Sequence, residues 1–161
     1  MSGKSAGHTG GCQCGAVRFR VTGLGRASIC YCRMCQKAFG NMGAPLVAVT
    51  GLTWTRGQPA HFQSSNIARR GFCAACGTPL SFEDNGVELA ICAFDDASAI
   101  APEVQLARKT KPAWVDHLAS LPPRPREEAA AVAAKYGTIV SHQHPDHDTD
   151  GWSLPAAKQT P

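Results

Sequence analysis

The residues best able to do chemistry in this sequence are its cysteines, seven of which lie in three closely spaced groups. Cys12 and Cys14 are two positions apart, so on an extended chain both thiols face the same side. Cys73 and Cys76 form a CxxC pair followed by Gly77, a spacing that brings two thiolates together at a tight turn. The two pairs together supply the four sulfur ligands of a tetrahedral structural zinc ion. We expect this site to join two halves of a β-structure.

The third group, Cys30, Cys32 and Cys35, supplies three more thiols. Three protein ligands leave one position of a tetrahedral zinc ion open, and that position can take water or a substrate thiol. Zinc deprotonates a thiol that coordinates it. Such a thiol is an activated nucleophile, or the leaving group of a C–S bond. We therefore predict that these three cysteines form a catalytic zinc site.

Other interpretations of the cysteines stay open. A single CxxC pair can be a redox pair, and four thiolates also suit an iron–sulfur cluster. If Cys30 is a buried structural cysteine, the other two of its group would resemble a redox pair. Several groups in one chain favour a metal, and we predict zinc because the spacing is not that of an iron–sulfur protein. Cys92, in the apolar run Leu89–Phe94, is predicted to be a core residue.

The composition argues against a membrane or nucleic-acid partner. The hydrophobic fraction of 43% suffices for a core, yet the apolar stretches are too short to cross a bilayer. The N-terminus lacks the apolar segment of a secretory signal, so a cytoplasmic location is expected, where structural disulfides are rare. The formal net charge of +4 falls to about +1 once seven thiolates and two zinc ions are counted.

The elements that position the cysteines are predicted to be mainly strands. Val17, Phe19 and Val21 alternate with polar residues, as in a strand with one buried face. Before residue 120, the only helix expected is a short turn after Cys35. Glycine or proline separates three further β-rich runs, which are Ala44–Thr50, Pro79–Phe82 and Gly86–Phe94.

The composition changes at Pro122, where a group of prolines precedes the one clear helix. We predict this helix over Arg126–Tyr136, with Pro125 at its first turn and Gly137 in a left-handed C-cap. The predicted organisation is a flexible N-terminus over residues 1–7, a zinc domain over residues 8–123, and a C-terminal helix and polar tail over residues 124–161.

The cysteine motifs, taken in order, resemble one known family. The matching runs are GCQCG at Gly11–Gly15, CYCRMCQKAFG at Cys30–Gly40 and FCAACGTPL at Phe72–Leu80. KPAW at Lys111–Trp114 resembles the segment that closes the family domain. Over roughly residues 8–123 the sequence is therefore similar to the glutathione-dependent formaldehyde-activating enzyme (GFA) family, which also includes centromere protein V.

This resemblance implies a mainly β, Mss4-like zinc-binding fold, with structural zinc on the two cysteine pairs and a more labile zinc on Cys30, Cys32 and Cys35. It implies an S-(hydroxymethyl)glutathione synthase-like activity that joins formaldehyde to the thiol of glutathione. We therefore expect a zinc-dependent carbon–sulfur lyase-like enzyme that holds two zinc ions and binds a small-molecule thiol such as glutathione. A non-catalytic zinc module for protein binding, as in centromere protein V, and a thiol-responsive zinc buffer are the alternatives.

Candidate substrate-binding residues flank the cysteine motifs. Basic side chains there can pair with the carboxylates of a glutathione-like thiol, and a tryptophan can form a pocket wall. An ordinary surface or core role competes with this interpretation for each of them. The candidates are Arg33, Lys37, Arg69, Arg70 and Trp114.

The segment His142–Asp148 copies the HxHxDH pattern of metallo-β-lactamase hydrolases. Those folds need further metal ligands and a large downstream sandwich, whereas fourteen residues follow His147. We therefore reject a hydrolase centre. A surface or inter-subunit metal contact and a structural role as a docked tail both stay open.

Overall fold

The computed structural model describes residues 7–153, and it confirms a mainly β fold. The predicted flexible N-terminus, apart from Gly7, and the polar tail beyond Ser153 lie outside the described residues. The strands are β1 (His8–Gly11), β2 (Arg18–Val21), β3 (Gly23–Cys30), β4 (Ala44–Thr50), β5 (Thr53–Arg56), β6 (Ala60–Gln63), β7 (Arg69–Phe72), β8 (Pro79–Glu83), β9 (Val87–Ala90) and β10 (Val104–Leu106).

Between residues 7 and 153 these strands form two sheets. The smaller sheet has the order β1-β2-β5, and the larger has the order β10-β3-β4-β9-β8-β7-β6. Only β10, which pairs with β3, is parallel to its neighbour. The helices are α1 (Arg33–Phe39) and α2 (Arg126–Tyr136), and shorter 3-10 segments lie at Ile91–Ala93, Ala97–Ala99, Arg108–Thr110 and Ala113–Ser120.

One hydrophobic core receives side chains from both sheets. Phe19 of the small sheet is fully buried and makes edge-to-face contacts with Trp54 and Phe94 at centroid distances of 5.9 and 5.0 Å. Leu80 and Leu89 of the large sheet are buried in the same cluster. Burial of each such side chain stabilises the fold by about 2 kcal/mol. The packing of the two sheets therefore fixes the strand ends that carry the cysteines.

The last predicted β-rich run is divided in the structure. Strand β9 ends at Ala90, and the 3-10 segment Ile91–Ala93 follows. Ile91 and Ala93 are buried, whereas Cys92 between them is exposed. The prediction of Cys92 as a core residue is therefore wrong, because the tight turn rotates its side chain away from the apolar face.

Arg18 of β2 is a second departure from the sequence pattern. The alternation around Phe19 predicts that Arg18 faces solvent, but only 3% of it is exposed. Its guanidinium donates to both carboxylate oxygens of Asp95 at 2.8 and 2.6 Å, and it also donates to Asp148 at 2.8 Å. The strand thus has polar groups buried on its second face, where the C-terminal segment covers it.

The Arg18–Asp95 pair predicts a specific loss of stability in acid. Burial raises the pKa of Asp95, but hydrogen bonds from Arg18 and Thr9 outweigh burial and hold this pKa below its usual value. The stabilisation is therefore complete above the unfolded-state pKa of about 4, and it is lost as pH falls through the lower folded-state pKa. Asp95→Asn should lower the free energy of unfolding by about 3 kcal/mol at pH 7, and it should make this free energy depend less on pH in acid. Urea titrations of both proteins at pH 7 and in acid test this prediction. It would be contradicted if the free energy of unfolding of Asp95→Asn fell with acid as steeply as that of the wild type.

The C-terminal helix has the predicted bounds but ends differently. Pro125 precedes α2, and Glu127 and Glu128 lie in its first turn. Gly137 is right-handed, with φ −61°, so the predicted left-handed cap is wrong. Its N–H donates to the carbonyl of Ala133 at 2.8 Å, so the helical hydrogen bonding continues through this residue. Among residues 7–153, no helix has the length and apolar character needed to cross a membrane.

Candidate metal centres

The first candidate centre combines the two cysteine pairs, as predicted. Cys12 and Cys14 follow β1 of the small sheet, and Cys73 and Cys76 follow β7 of the large sheet. All four sulfurs lie within 4.8 Å of one another. The Cys14 sulfur lies 3.6 Å from that of Cys12 and 3.8 Å from that of Cys73. Zinc–sulfur bonds of about 2.3 Å in a tetrahedron place sulfurs about 3.8 Å apart, so this set fits zinc.

A glycine in the left-handed region follows each pair and lets the chain turn around the sulfurs. Gly15 has φ 75° and Gly77 has φ 77°, values that other residues rarely adopt. The N–H groups of Gly15 and Gly77 donate to the carbonyls of Cys12 and Cys73 at 3.0 and 2.8 Å. These turns direct both thiols of each pair toward one point. We name the set of Cys12, Cys14, Cys73 and Cys76 the closed cluster.

The thiols of the closed cluster differ in acidity. Burial raises the pKa of Cys14 to about 12. Burial also acts to raise the pKa of Cys76, but hydrogen bonds from Thr78 outweigh it and lower this pKa to about 6. The Cys76 thiol is therefore more acidic than an ordinary cysteine, which favours coordination of a cation. Coordination then deprotonates the other thiols.

The second candidate centre is the three-cysteine group. Cys30 ends β3, Cys32 caps the N-terminus of α1, and Cys35 is the buried residue of that helix. Their sulfurs lie within 4.8 Å of one another, and no fourth His, Cys, Asp or Glu of residues 7–153 joins them. Cys30 is half-buried and lies with the other two rather than in a separate core position. We name this set the open cluster, because it offers three ligands to a four-coordinate ion.

Helix α1 begins two residues before Cys35, whereas the sequence predicts a helical turn only after it. The sulfur of Cys32 accepts the N–H of Cys35 at 3.4 Å. Burial alone would raise the pKa of Cys32, but this bond and other donors at the helix start lower it. Burial raises the pKa of Cys35 to about 12, with Arg70 acting in the opposite direction. The start of α1 therefore positions two of the three sulfurs and stabilises negative charge on one of them.

Three of the five predicted substrate residues line one cleft beside the open cluster. Arg33 and Lys37 of α1 face Arg70 of β7 across a cavity of about 360 Å³. Met34, Ala38, Phe62 and Ser64 complete the lining, and none of the lining residues is acidic. The cleft therefore combines an apolar wall with positive charge. We name it the α1 cleft.

The other two predicted substrate residues lie elsewhere. Trp114 is 55% exposed and lines a neighbouring cavity that shares Arg33 and Lys37 with the α1 cleft. Arg69 is exposed and forms an ion pair with Glu83 at 2.7 Å. Arg69 and Arg70 are consecutive in a strand, so their side chains point to opposite faces.

Phe62 and Ser64 line the α1 cleft, but sequence reasoning missed them. Strand β6 brings Phe62 opposite Arg70, as the neighbour of β7 at the edge of the large sheet. The sequence signal for Phe62 is the β-rich composition of that short strand, which carries no indication of a site, and Ser64 lies just beyond the strand. An exposed Phe62, 64% accessible, becomes informative only once its position beside the cluster is known.

The segment His142–Asp148 docks on the closed cluster, and within the described chain no three of its metal-ligating side chains converge on one point. His144 is buried, and its backbone N–H donates to the backbone carbonyl of Gln13 at 2.8 Å. The indole of Trp152 donates to the carbonyl of Cys14 at 2.9 Å and packs edge-to-face against the His144 ring. His142 and His147 are exposed. The segment is thus a docked structural tail, one of the two roles that the sequence leaves open.

Comparison with known proteins identifies the family. The family model described as glutathione-dependent formaldehyde-activating enzyme matches residues 7–110. A Halomonas elongata protein that carries this name provisionally is 32% identical over 123 residues, covering 66% of this chain and 78% of the relative. A crystal structure of a Rhodobacter sphaeroides protein aligns with a TM-score of 0.48 at 23% identity, covering 62% of this chain and 99% of that one. The chain belongs to the glutathione-dependent formaldehyde-activating enzyme family.

Proposed function

We propose that the protein is a zinc-dependent enzyme that makes or breaks the C–S bond between a small aldehyde and a glutathione-type thiol. The observation that carries this proposal is the open cluster, whose three sulfurs converge. Its Cys35 accepts a hydrogen bond from Arg70, and Arg70 also lines the positively charged α1 cleft. The family name and the relative's name point to formaldehyde and glutathione. We propose the closed cluster as the structural zinc site.

Each element of the site has a role in this proposal. Cys30, Cys32 and Cys35 hold the zinc ion, whose fourth position, when the ion is bound, supplies a place where a substrate thiol loses its proton. Arg33 and Lys37, which line the α1 cleft, bind the carboxylates of the thiol. Met34 and Phe62 cover the aliphatic part of the substrate and limit the access of water.

The reaction needs no redox partner. A sulfur electron pair forms the new bond to the carbonyl carbon, and the π pair of the carbonyl moves to its oxygen. That oxygen takes up a proton to replace the one released by the thiol, so the product is a hemithioacetal, which for formaldehyde is the S-hydroxymethyl adduct. The reverse reaction returns the thiol and the aldehyde.

The test is a panel of thiols and aldehydes on protein with measured zinc content. Exchange NMR gives the rate of adduct formation, which should exceed the uncatalysed rate for glutathione and depend on zinc. Lys37→Met should raise KM for glutathione about fivefold, equivalent to roughly 1 kcal/mol, and leave KM for neutral 2-mercaptoethanol unchanged. Lys135→Met, which changes an exposed lysine of α2, is the matched control.

The alternatives give different results in the same panel. A thiol-responsive zinc buffer would exchange zinc with glutathione but would not accelerate adduct formation with any aldehyde. A non-catalytic module for protein binding would show neither effect. Either result, obtained on protein that holds its full content of zinc, would refute the proposed enzymatic activity.

A further inference from the structure

Arg70 is a buried arginine without a carboxylate partner. Only 7% of the residue is exposed, and its Nε and one terminal nitrogen are buried with no hydrogen-bond acceptor. No carboxylate among residues 7–153 forms an ion pair with it. A guanidinium keeps its charge in proteins, and an uncompensated buried charge costs several kcal/mol. The fold must therefore supply negative charge to Arg70 from another group.

The remaining polar contact of Arg70 is the open cluster. Its second terminal nitrogen donates to the sulfur of Cys35 at 3.4 Å, a contact that is itself buried. The guanidinium carbon lies 5.0 Å from the centre of the Phe82 ring, on the strand paired with β7. This ring contact holds the side chain in place, but it supplies no net charge.

The charge of the open cluster matches this requirement. Three thiolates and one Zn²⁺ ion sum to a single negative charge, and Arg70 carries a single positive charge. The closed cluster differs in this respect, since no arginine or lysine of the described chain donates to its sulfurs.

We infer that Arg70 is the fixed countercharge of the open cluster. It is a positioning residue that binds Cys35 and thereby stabilises a zinc ion held by the three cysteines of that cluster. The inference deepens the proposed function and rests on its assignment of zinc to Cys30, Cys32 and Cys35. Removing the charge leaves the buried Cys35 side of the net negative zinc–thiolate unit without a countercharge in contact with it. Changes to such outer partners typically lower metal affinity about 10- to 100-fold.

Arg70→Met tests the inference, because methionine keeps much of the side-chain length and removes the charge. Zinc affinity is measured by competition with a chromogenic chelator on the full chain. The open cluster of Arg70→Met should bind zinc about 10- to 100-fold more weakly, while the closed cluster keeps its zinc. Arg69→Met is the matched control from the adjacent position, where the side chain is exposed and paired with Glu83, and it should behave as wild type.

Arg70→Lys and Arg70→Gln separate charge from packing, and they also serve if Arg70→Met does not fold. Lysine should recover a substantial part of the lost affinity, and glutamine should not. Substitution with Co²⁺ supplies a second signal, because the thiolate-to-cobalt absorption of the open cluster should shift in Arg70→Gln but not in Arg69→Met. Equal zinc affinity in Arg70→Met and wild type, or equal affinity in the lysine and glutamine variants, would overturn the inference. These readouts do not depend on turnover, so a failure of the proposed enzyme would be distinguishable from a failure of this inference.

Discussion

Replacing Cys14 or Cys76 by serine is expected to unfold or aggregate the protein, whereas replacing Cys32 or Cys35 should leave it folded and inactive. The closed cluster joins the end of β1 in the small sheet to the end of β7 in the large sheet. Four-thiolate zinc sites contribute on the order of 10 kcal/mol to the folding of small domains. The open cluster lies within the α1 region and joins no two sheets, so the loss of its zinc removes far less stability.

The measurements for this prediction are thermal melting, zinc content and turnover on the same samples. Cys32→Ser should retain about one zinc of two and a cooperative melt. Cys92→Ser is the matched control, because Cys92 is exposed and belongs to neither cluster. A melt of Cys32→Ser as poor as that of Cys14→Ser would show that the open cluster is structural. If Cys14→Ser stayed folded and lost only its activity, the structural role would belong to the open cluster and the catalytic role to the closed one.

Truncation after Ser141 is expected to destabilise the whole domain, although the removed segment lies beyond the residues matched by the family model. Asp148 is an ion-pair partner of buried Arg18, and the segment donates hydrogen bonds to the carbonyls of Gln13 and Cys14. Loss of these charge-assisted and buried hydrogen bonds costs on the order of 3 kcal/mol. Such a loss lowers Tm by about 6–12 °C in a protein of this size.

Truncation after Ser153 is the control, because it keeps every contact described for this segment. A second control uses the left-handed glycines that follow the two cysteine pairs of the closed cluster. A Cβ on Gly15 would come within 2.3 Å of the His144 ring, whereas a Cβ on Gly77 meets nothing within 4 Å. Gly15→Ala should therefore destabilise the full chain more than Gly77→Ala, and this excess should vanish after truncation at Ser141. An unchanged Tm on that truncation would contradict the docked tail.

The parts of the fold that were predictable from sequence are those encoded by neighbouring residues. The paired cysteines and the glycines after them lie within a few positions of each other, so each pair and the three-cysteine group followed from local spacing. The two pairs are 59 positions apart, and their joining followed from the four ligands that a structural zinc needs. Strand β4 and helix α2 also have their predicted bounds, because an apolar β-rich run marks the first, a helix-favouring run marks the second, and glycine or proline bounds both.

The errors arose where a residue depends on a distant part of the chain or on a break in periodicity. Arg18 has the sequence context of an exposed strand position, and its burial requires Asp95 and Asp148. Cys92 lies in an apolar run, but a 3-10 turn interrupts the strand there. Arg69 and Arg70 look alike in the sequence, but Arg69 pairs with Glu83 and Arg70 contacts Cys35. Which arginine does which depends on the face of β7 that meets the open cluster.

The division of the cysteines into an open and a closed cluster is tested by the kinetics of zinc release from the wild-type protein to a chelator, followed together with the folded fraction and turnover. We predict two phases of about one zinc each. The fast phase should remove turnover without unfolding and should change in rate with glutathione, and the slow phase should coincide with unfolding. Release in a single phase that coincides with unfolding would contradict the division of the cysteines into an open and a closed cluster.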